Sequence, residues 1–347
     1  MNVLSLFDGI GTGRYALDKA GIKVDKYYAS EIDKKAISIA QYNYPDIIQI
    51  GDVESIDFNS LKGKIDLIIG GFPCTDLSLA GKRDGLKGQH SRLFYKQLEA
   101  IKIIQPKYFL VENNVGMPKK AYEEISKQLG CYPVEINSAL VSAQSRKRYY
   151  WTNIGPKMRG LVGLPKCAIP QPKDRGIILE DILEKDINII PENTTSVSYV
   201  EKHLKSLSDK LGYTPVQFNA YNEQEIKEKS PTLTTVCGSK TSSSSVNRFL
   251  LNYNVIQGIN IVLYSVQNGT IKIGDTVYPI NLPDGDYSIR HLTPLECERL
   301  QTMPDGYTQF GREREHIVKI SNAQRYKALG NGWTAEVIIH IFRFMEE

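Results

Sequence analysis

A chain of 347 residues, 41% hydrophobic and 24% charged, has the make-up of a water-soluble folded protein with room for one large domain and a smaller one. Its net charge of +4 suits a nucleic-acid partner without requiring one. Five scattered cysteines with no CxxC spacing argue against a disulfide framework or a zinc site and for a reducing, cytoplasmic setting; no apolar run reaches membrane-spanning length, and residues 1–6 carry no basic region ahead of an apolar stretch as a secretion signal would.

Residues 3–7 read as a buried strand, followed by a glycine-rich turn, Asp8-Gly9-Ile10-Gly11-Thr12-Gly13, and a helix over 14–20 that Gly21 ends. Strand, glycine turn and helix make the first unit of a nucleotide-binding fold, with the helix N-terminus offering backbone donors. A second strand over 26–30 delivers Glu31 about twenty residues beyond the glycines, where a carboxylate typically meets ribose hydroxyls. After a helix near 34–42, a third strand over 47–50 leads to Asp52, read either as an adenine contact or as a turn cap.

The short apolar run 67–69 then stops at Gly70-Gly71-Phe72-Pro73-Cys74. Two glycines permit close backbone approach, and proline stiffens the chain just before the thiol, so Cys74 reads as a presented nucleophile at a strand's C-terminal end. Residues 80–90 are glycine-rich, basic and aperiodic, as in a loop that closes over a substrate. A helix over 91–105 carries an apolar stripe, and the strand 108–111 delivers Glu112, a partly desolvated carboxylate suited to acid chemistry.

A helix over 119–129 and a strand over 132–137 precede Gln144-Ser145-Arg146-Lys147-Arg148, where alternation places Gln144, Arg146 and Arg148 on one face of a strand. From about residue 156 the composition shifts. Prolines, short helices near 177–183 and 198–211, a hydroxyl-rich loop over 230–245, and β structure over 259–280 with a hairpin turn at Gln267-Asn268-Gly269-Thr270 mark a second region at 156–289. Thr293-Pro294-Leu295-Glu296 is a capping box that opens a helix, and Leu329-Gly330-Asn331-Gly332-Trp333-Thr334 precedes a last apolar helix.

In order and spacing, Phe7-Asp8-Gly9-Ile10-Gly11, Glu31, Asp52, Gly71-Phe72-Pro73-Cys74, Glu112-Asn113, Gln144 to Arg148, Arg290 to Arg299 and Gly330-Asn331 resemble the motifs of DNA (cytosine-5) methyltransferases over essentially the whole chain. Details such as Asn331-Gly332-Trp333 look most like the catalytic domain of the de novo subgroup, in a stand-alone bacterial or phage enzyme.

The resemblance implies an α/β fold with a Rossmann-like doubly wound sheet, built from 1–155 and 290–347. It also implies a smaller mixed β/loop target recognition domain, inserted at 156–289. It implies methyl transfer from S-adenosylmethionine to C5 of a flipped-out cytosine in duplex DNA, with S-adenosylhomocysteine as product and Cys74 adding to ring C6. Glu112 would act at ring N3, with Arg146 and Arg148 as the positive charges near the thiol and Gln144 helping to orient the carboxylate.

Phe7, Asp8, Gly9, Ile10, Gly11, Thr12, Gly13, Glu31, Ile32, Asp52, Val53, Gly71, Phe72, Pro73, Leu93, Asn331, Gly332 and Trp333 would form the cofactor pocket. DNA contacts are expected from Ser78, Lys82, Arg83, Lys87, Gln89, Ser91 and Arg92 on one side, and from Thr234, Thr235, Gly238, Ser239, Lys240 and Arg248 on the other. No metal and no membrane is expected, and a cognate restriction endonuclease is left open. The competing readings are an RNA (tRNA) cytosine-5 methyltransferase of the same fold and a catalytically inactive DNA-binding relative.

Overall fold

The computed structural model describes residues 1–73, 92–158, 163–184, 197–235, 246–251 and 263–345. The N-terminal body alternates strand and helix: β1 (Asn2–Leu6), α1 (Thr12–Lys19), β2 (Lys26–Ser30), α2 (Lys34–Asn43), β3 (Ile47–Gln49), β4 (Leu67–Gly70), α3 (Arg92–Ile104), β5 (Tyr108–Asn114), α4 (Lys119–Leu129), β6 (Val134–Asn137) and β7 (Lys147–Thr152). These strands form one seven-stranded sheet in the order β3-β2-β1-β4-β5-β7-β6.

β1 to β5 pair in parallel, so their C-terminal ends all open on one edge of the sheet. β7 enters between β5 and β6 and runs antiparallel to both. Arg148 therefore lies opposite Asn114, at the edge where the parallel strands end.

Side-chain alternation covers both faces. Val3, Leu67 and Ile69 join the larger core with Ala16, Leu17 and the C-terminal helix, whereas Leu4, Leu6 and Ile68 join a second cluster with Phe58, Ala100 and Ile104. The doubly wound sheet expected from the sequence is the fold observed.

Next come two short strands, β8 (Lys157–Met158) and β9 (Lys166–Cys167), and the single turn α5 (Leu179–Ile182). Cys167, Ile169, Leu179 and Leu183 pack into the first core, although composition alone groups them with the second region. α6 (Val197–Leu211) then covers an antiparallel seven-stranded sheet. Its strands are β10 (Gln217–Asn219), β11 (Gln224–Glu225), β12 (Asn247–Leu251), β13 (Tyr264–Gln267), β14 (Thr270–Ile273), β15 (Thr276–Pro279) and β16 (Gly285–His291), in the order β11-β10-β12-β16-β13-β14-β15.

The predicted hairpin joins β13 to β14, with Asn268 at φ 50° and Gly269 at φ 68°, the left-handed pair that a tight two-residue turn requires. The chain returns through α7 (Pro294–Leu300), the hairpin β17 (Phe310–Glu313) and β18 (His316–Lys319), α8 (Asn322–Asn331) and α9 (Ala335–Phe342).

The predicted capping box at Thr293 is formed, and its Glu296 is bound from the other side by Arg290 through Nη1 (2.8 Å) and Nη2 (2.6 Å). Both side chains are buried, so this charge pair fastens the second sheet to the helix that leads back to the first. Among the described residues, no helix is long and apolar enough to cross a membrane, and no group of three or more His, Cys, Asp or Glu could hold a metal ion.

Candidate active site

A cavity of about 480 Å³ opens at the C-terminal edge of the parallel strands. Of the residues expected at the cofactor, Phe7, Gly9, Ile10, Glu31, Ile32, Asp52, Val53, Gly71, Phe72, Pro73, Leu93 and Asn331 line it, and Glu112, Arg146 and Arg148 line it too. Its size lies within the range of small-molecule sites, and its make-up is the usual one of apolar walls with a few fixed polar groups. Ile32, a large apolar side chain of the lining, is 72% exposed. Phe7 adopts φ 58°, a left-handed conformation uncommon for an aromatic residue and typical of strained positions at sites.

Glu31 is held through both carboxylate oxygens. Its Oε2 accepts from the backbone N–H of Gly9 (2.9 Å), and its Oε1 accepts from Ile32 (2.8 Å) and Asp33 (2.9 Å). The end of β2 and the glycine turn after β1 are thereby locked together around one carboxylate. Asp52 caps the short helix at 53–55, accepting from Glu54 N at 3.0 Å, and also lines the cavity.

At the β4–β5 side stands Glu112, only 8% exposed. Its Oε1 meets Nε of Arg148 at 2.9 Å, and its Oε2 accepts from Nε1 of Trp333 at 3.1 Å. Gly71 makes this possible: a Cβ there would sit 2.5 Å from Glu112 Oε2 and 3.1 Å from the indole nitrogen. Asn113, next on β5, donates to the Phe72 carbonyl at 3.0 Å and so steadies the chain just ahead of Pro73.

Other expected residues lie elsewhere. Thr12 is buried in α1, and Gly13 is pressed against Ile69 and the Tyr27 hydroxyl. Gly11, at the N-cap of α1, has Ala40, Ile47 and Tyr307 beside it. Gly13 thus lets the start of α1 approach the sheet closely.

Gly332 and Trp333 do not line the cavity. Gly332 offers its carbonyl to Arg146 and Gln301, and Trp333 reaches the site through its hydrogen bond to Glu112. Gln144 does not reach the carboxylate it was expected to orient: its amide donates to the Leu300 carbonyl and Gln301 Oε1, and its oxygen accepts from Leu233 N. The reason is local, since residue 144 bridges to Ser230 and β7 begins only at Lys147. Arg146 is 5% exposed, with its guanidinium held by the carbonyls of Leu233, Gly330 and Gly332.

Asp8 faces inward too, 8% exposed, with the Tyr27 hydroxyl donating to Oδ1 at 2.7 Å and Oδ2 left without a partner. Burial pushes its carboxyl up to about 6, against the hydrogen bonds from Ser5 and Tyr27 and with help from the nearby Glu31 charge. The folded chain therefore takes up a proton here between about pH 4 and 6, and stability is lost as pH rises through that window. From 3.8 to about 6 is about two units, or on the order of 3 kcal/mol for this buried group. Thermal unfolding of Asp8→Asn and of the unaltered protein should accordingly diverge between pH 5 and pH 7.5, the variant gaining at the higher pH. Parallel profiles would rule out an ionisation cost at this position.

Cys74, Ser78, Lys82, Arg83, Lys87, Gln89, Ser91, Gly238, Ser239 and Lys240 lie outside the described residues, as does the side chain of Arg92. Thr234 and Thr235 lie beside the cavity wall, and Arg248 is tied to Glu180 at 3.4 Å. Of the lining residues that motif reasoning passed over, Ser30 ends β2, Asp33 caps α2, Ala36 lies in its first turn, Glu54 sits in the short helix at 53–55, and Ala328 comes from α8, distant in sequence. Only Ser30 and Asp33 carried a signal, as the neighbours of Glu31.

Orphan methyltransferase M.SPRI of Bacillus phage SPR is 28% identical to this chain over 433 aligned residues, which take in 99% of this chain and 97% of that protein. Among solved structures, Entamoeba histolytica methyltransferase EhMeth superposes with a TM-score of 0.63 at 16% identity, covering 100% of this chain and 99% of that one. S. pombe Dnmt2 methyltransferase gives a TM-score of 0.60, also at 16% identity, covering 99% and 97%. At those identities the two structures bear on the fold alone. Family membership rests on the sequence: residues 1–347 match the C-5 cytosine-specific DNA methylase family throughout, and the chain belongs to it.

Proposed function

We propose that this methyltransferase acts on cytosine C5 in duplex DNA through covalent addition of Cys74 to ring C6. The observation that carries this reading is the setting of Glu112. Its carboxylate is fixed between Arg148 and Trp333 in a cavity whose lining also includes Pro73, the residue before the thiol in sequence.

The cavity suits S-adenosylmethionine: Glu31 is braced to accept from ribose hydroxyls, Ile32 and Val53 offer apolar faces for adenine, and Phe7 and Gly9 continue the wall. Bound there, that group supplies an electrophilic methyl on a sulfonium. Every other task falls to the chain.

Cytosine C5 is too weak a nucleophile to take a methyl group unaided. Only a few per cent of a free thiol is ionised near neutral pH, so the Arg148 guanidinium in the cavity favours the Cys74 thiolate. As the sulfur–C6 bond forms, electron density moves into the ring, and Glu112 holds a proton at N3 to stabilise it. C5 then carries enamine character and bonds the methyl group. Loss of the C5 proton to solvent restores the double bond and expels the Cys74 thiolate, leaving 5-methylcytosine and one released proton. The base must first leave the stack at roughly a few kcal/mol, which contacts from the second region offset. We assign target recognition to residues 156–289, with Thr234 and Thr235 facing the target strand beside the cavity wall.

Methyl transfer from labelled donor onto duplex DNA and onto tRNA, compared at equal cytosine concentration, tests the substrate. Incorporation into duplex DNA with none into tRNA is the expected result, and the reverse preference would overturn it.

A further inference from the structure

We infer that Gln144 and Arg146 are positioning residues that clamp Leu233, and through it Thr234 and Thr235, onto the wall of the cavity. The geometry is unusually complete. Both backbone polar groups of Leu233 are taken by side chains of one short segment: Gln144 Oε1 accepts from Leu233 N at 2.7 Å, and Arg146 Nη1 donates to Leu233 O at 2.9 Å. Main-chain bonds extend the pairing, with Ser145 N donating to Ser230 O at 2.8 Å and Ser230 N to Ala143 O at 2.7 Å. The hydroxyl of Thr232 adds a bond to Ser145 O at 2.7 Å.

The same two side chains hold the opposite wall. Arg146 Nη2 donates to the carbonyls of Gly330 (3.4 Å) and Gly332 (3.0 Å), while Gln144 Nε2 donates to Leu300 O and Gln301 Oε1, both at 3.2 Å. Gln301 in turn donates to Leu329 O at 2.7 Å.

Gly330 closes the arrangement. It lines the cavity on one side, and on the other a Cβ would lie 2.2 Å from the carbonyl carbon and oxygen of Thr234. Thr234 is thus separated from the cavity by the thickness of one glycine. An arginine fork can serve carbonyls on two walls at once, which a lysine ammonium at the end of a flexible stem does not reproduce. Buried polar groups cut from such a network lose their partners outright, so the position of residues 233–235 depends on both side chains.

That residues 234–235 meet the target strand rests on the function proposed above. The clamp itself does not, and the two are tested separately. In Gln144→Met, close in shape but unable to accept a hydrogen bond, exchange of the Leu233 amide should accelerate at least about tenfold in the free protein. Unchanged protection of that amide would overturn the clamp whatever the substrate proves to be.

With a duplex substrate, Gln144→Met should raise the DNA KM about tenfold, with kcat at saturating DNA and cofactor Kd within about threefold of the unaltered protein, and Arg146→Lys and Gly330→Ala should each raise the DNA KM by at least as much. The pH profile of kcat should stay in place. If Arg146 served the thiol through its charge, Arg146→Lys would restore activity and Arg146→Gln would shift the pH profile with DNA KM unchanged. Either result overturns the positioning role. Should the unaltered protein methylate neither duplex DNA nor tRNA, the proposed function fails while the Leu233 exchange measurement still decides the clamp.

Discussion

Cys74→Ser is expected to abolish methyl transfer, with a loss of at least about 10⁴-fold, because the step removed is bond formation itself and not its positioning. A serine hydroxyl near neutral pH is almost wholly protonated and adds to C6 far more slowly than a thiolate. The change is nearly isosteric, so duplex and cofactor binding should persist within a few-fold. A duplex carrying 5-fluorocytosine separates this from simple damage to the site. Fluorine cannot leave C5 as a proton does, so the unaltered protein should remain covalently attached in the presence of the methyl donor. Cys74→Ser should give no adduct. Undiminished turnover in that variant, or an unaltered protein that never forms the adduct, would remove the covalent mechanism from consideration.

The second large effect concerns Glu112. Glu112→Gln keeps the size of the side chain and one acceptor, so the hydrogen bond from Trp333 can persist while the pairing with Arg148 is lost. Turnover should fall about 10²- to 10⁴-fold, the usual cost of removing a positioned acid–base group. Cofactor affinity should change little, because the group sits beside Gly71 and Arg148 and away from Glu31. Equal losses in turnover and in cofactor affinity would argue against action at N3.

Gly71→Ala offers an independent route to the same site: the added methyl would press on Glu112 Oε2 at 2.5 Å, and a misplacement of that scale costs roughly 10²-fold. The chain contains two tryptophans, Trp151 buried in the core and Trp333 beside Glu112. A change in the Trp333 contribution to fluorescence would report that displacement without any substrate present.

Much of the fold is written in short-range patterns. Apolar runs too short for helices, each followed by a glycine or a carboxylate, mark β1 to β5 and put Glu31, Asp52, Gly71 and Glu112 at strand ends. Parallel strands joined by helices then have no choice but to collect those ends on one edge. The capping box at Thr293 and the Asn268-Gly269 turn were equally legible, because each depends on neighbours within four residues.

Tertiary structure decided everything that joins distant segments. The antiparallel insertion of β7 brings Arg148 to Glu112, and the return of α8 and α9 brings Trp333 to the same carboxylate from 221 residues away. The periodic face that seemed to group Gln144 with Arg146 and Arg148 is broken because residues 143–145 pair with Ser230, and Gln144 and Arg146 bond Leu233 instead. Gly330 gives the clearest contrast. Its type announced a close approach, but only the packed chain shows the approach to be the backbone of Thr234. Side-chain identity fixes what chemistry a residue can do. Which partner it meets depends on how strands and helices far apart in sequence are stacked, and no local pattern encodes that.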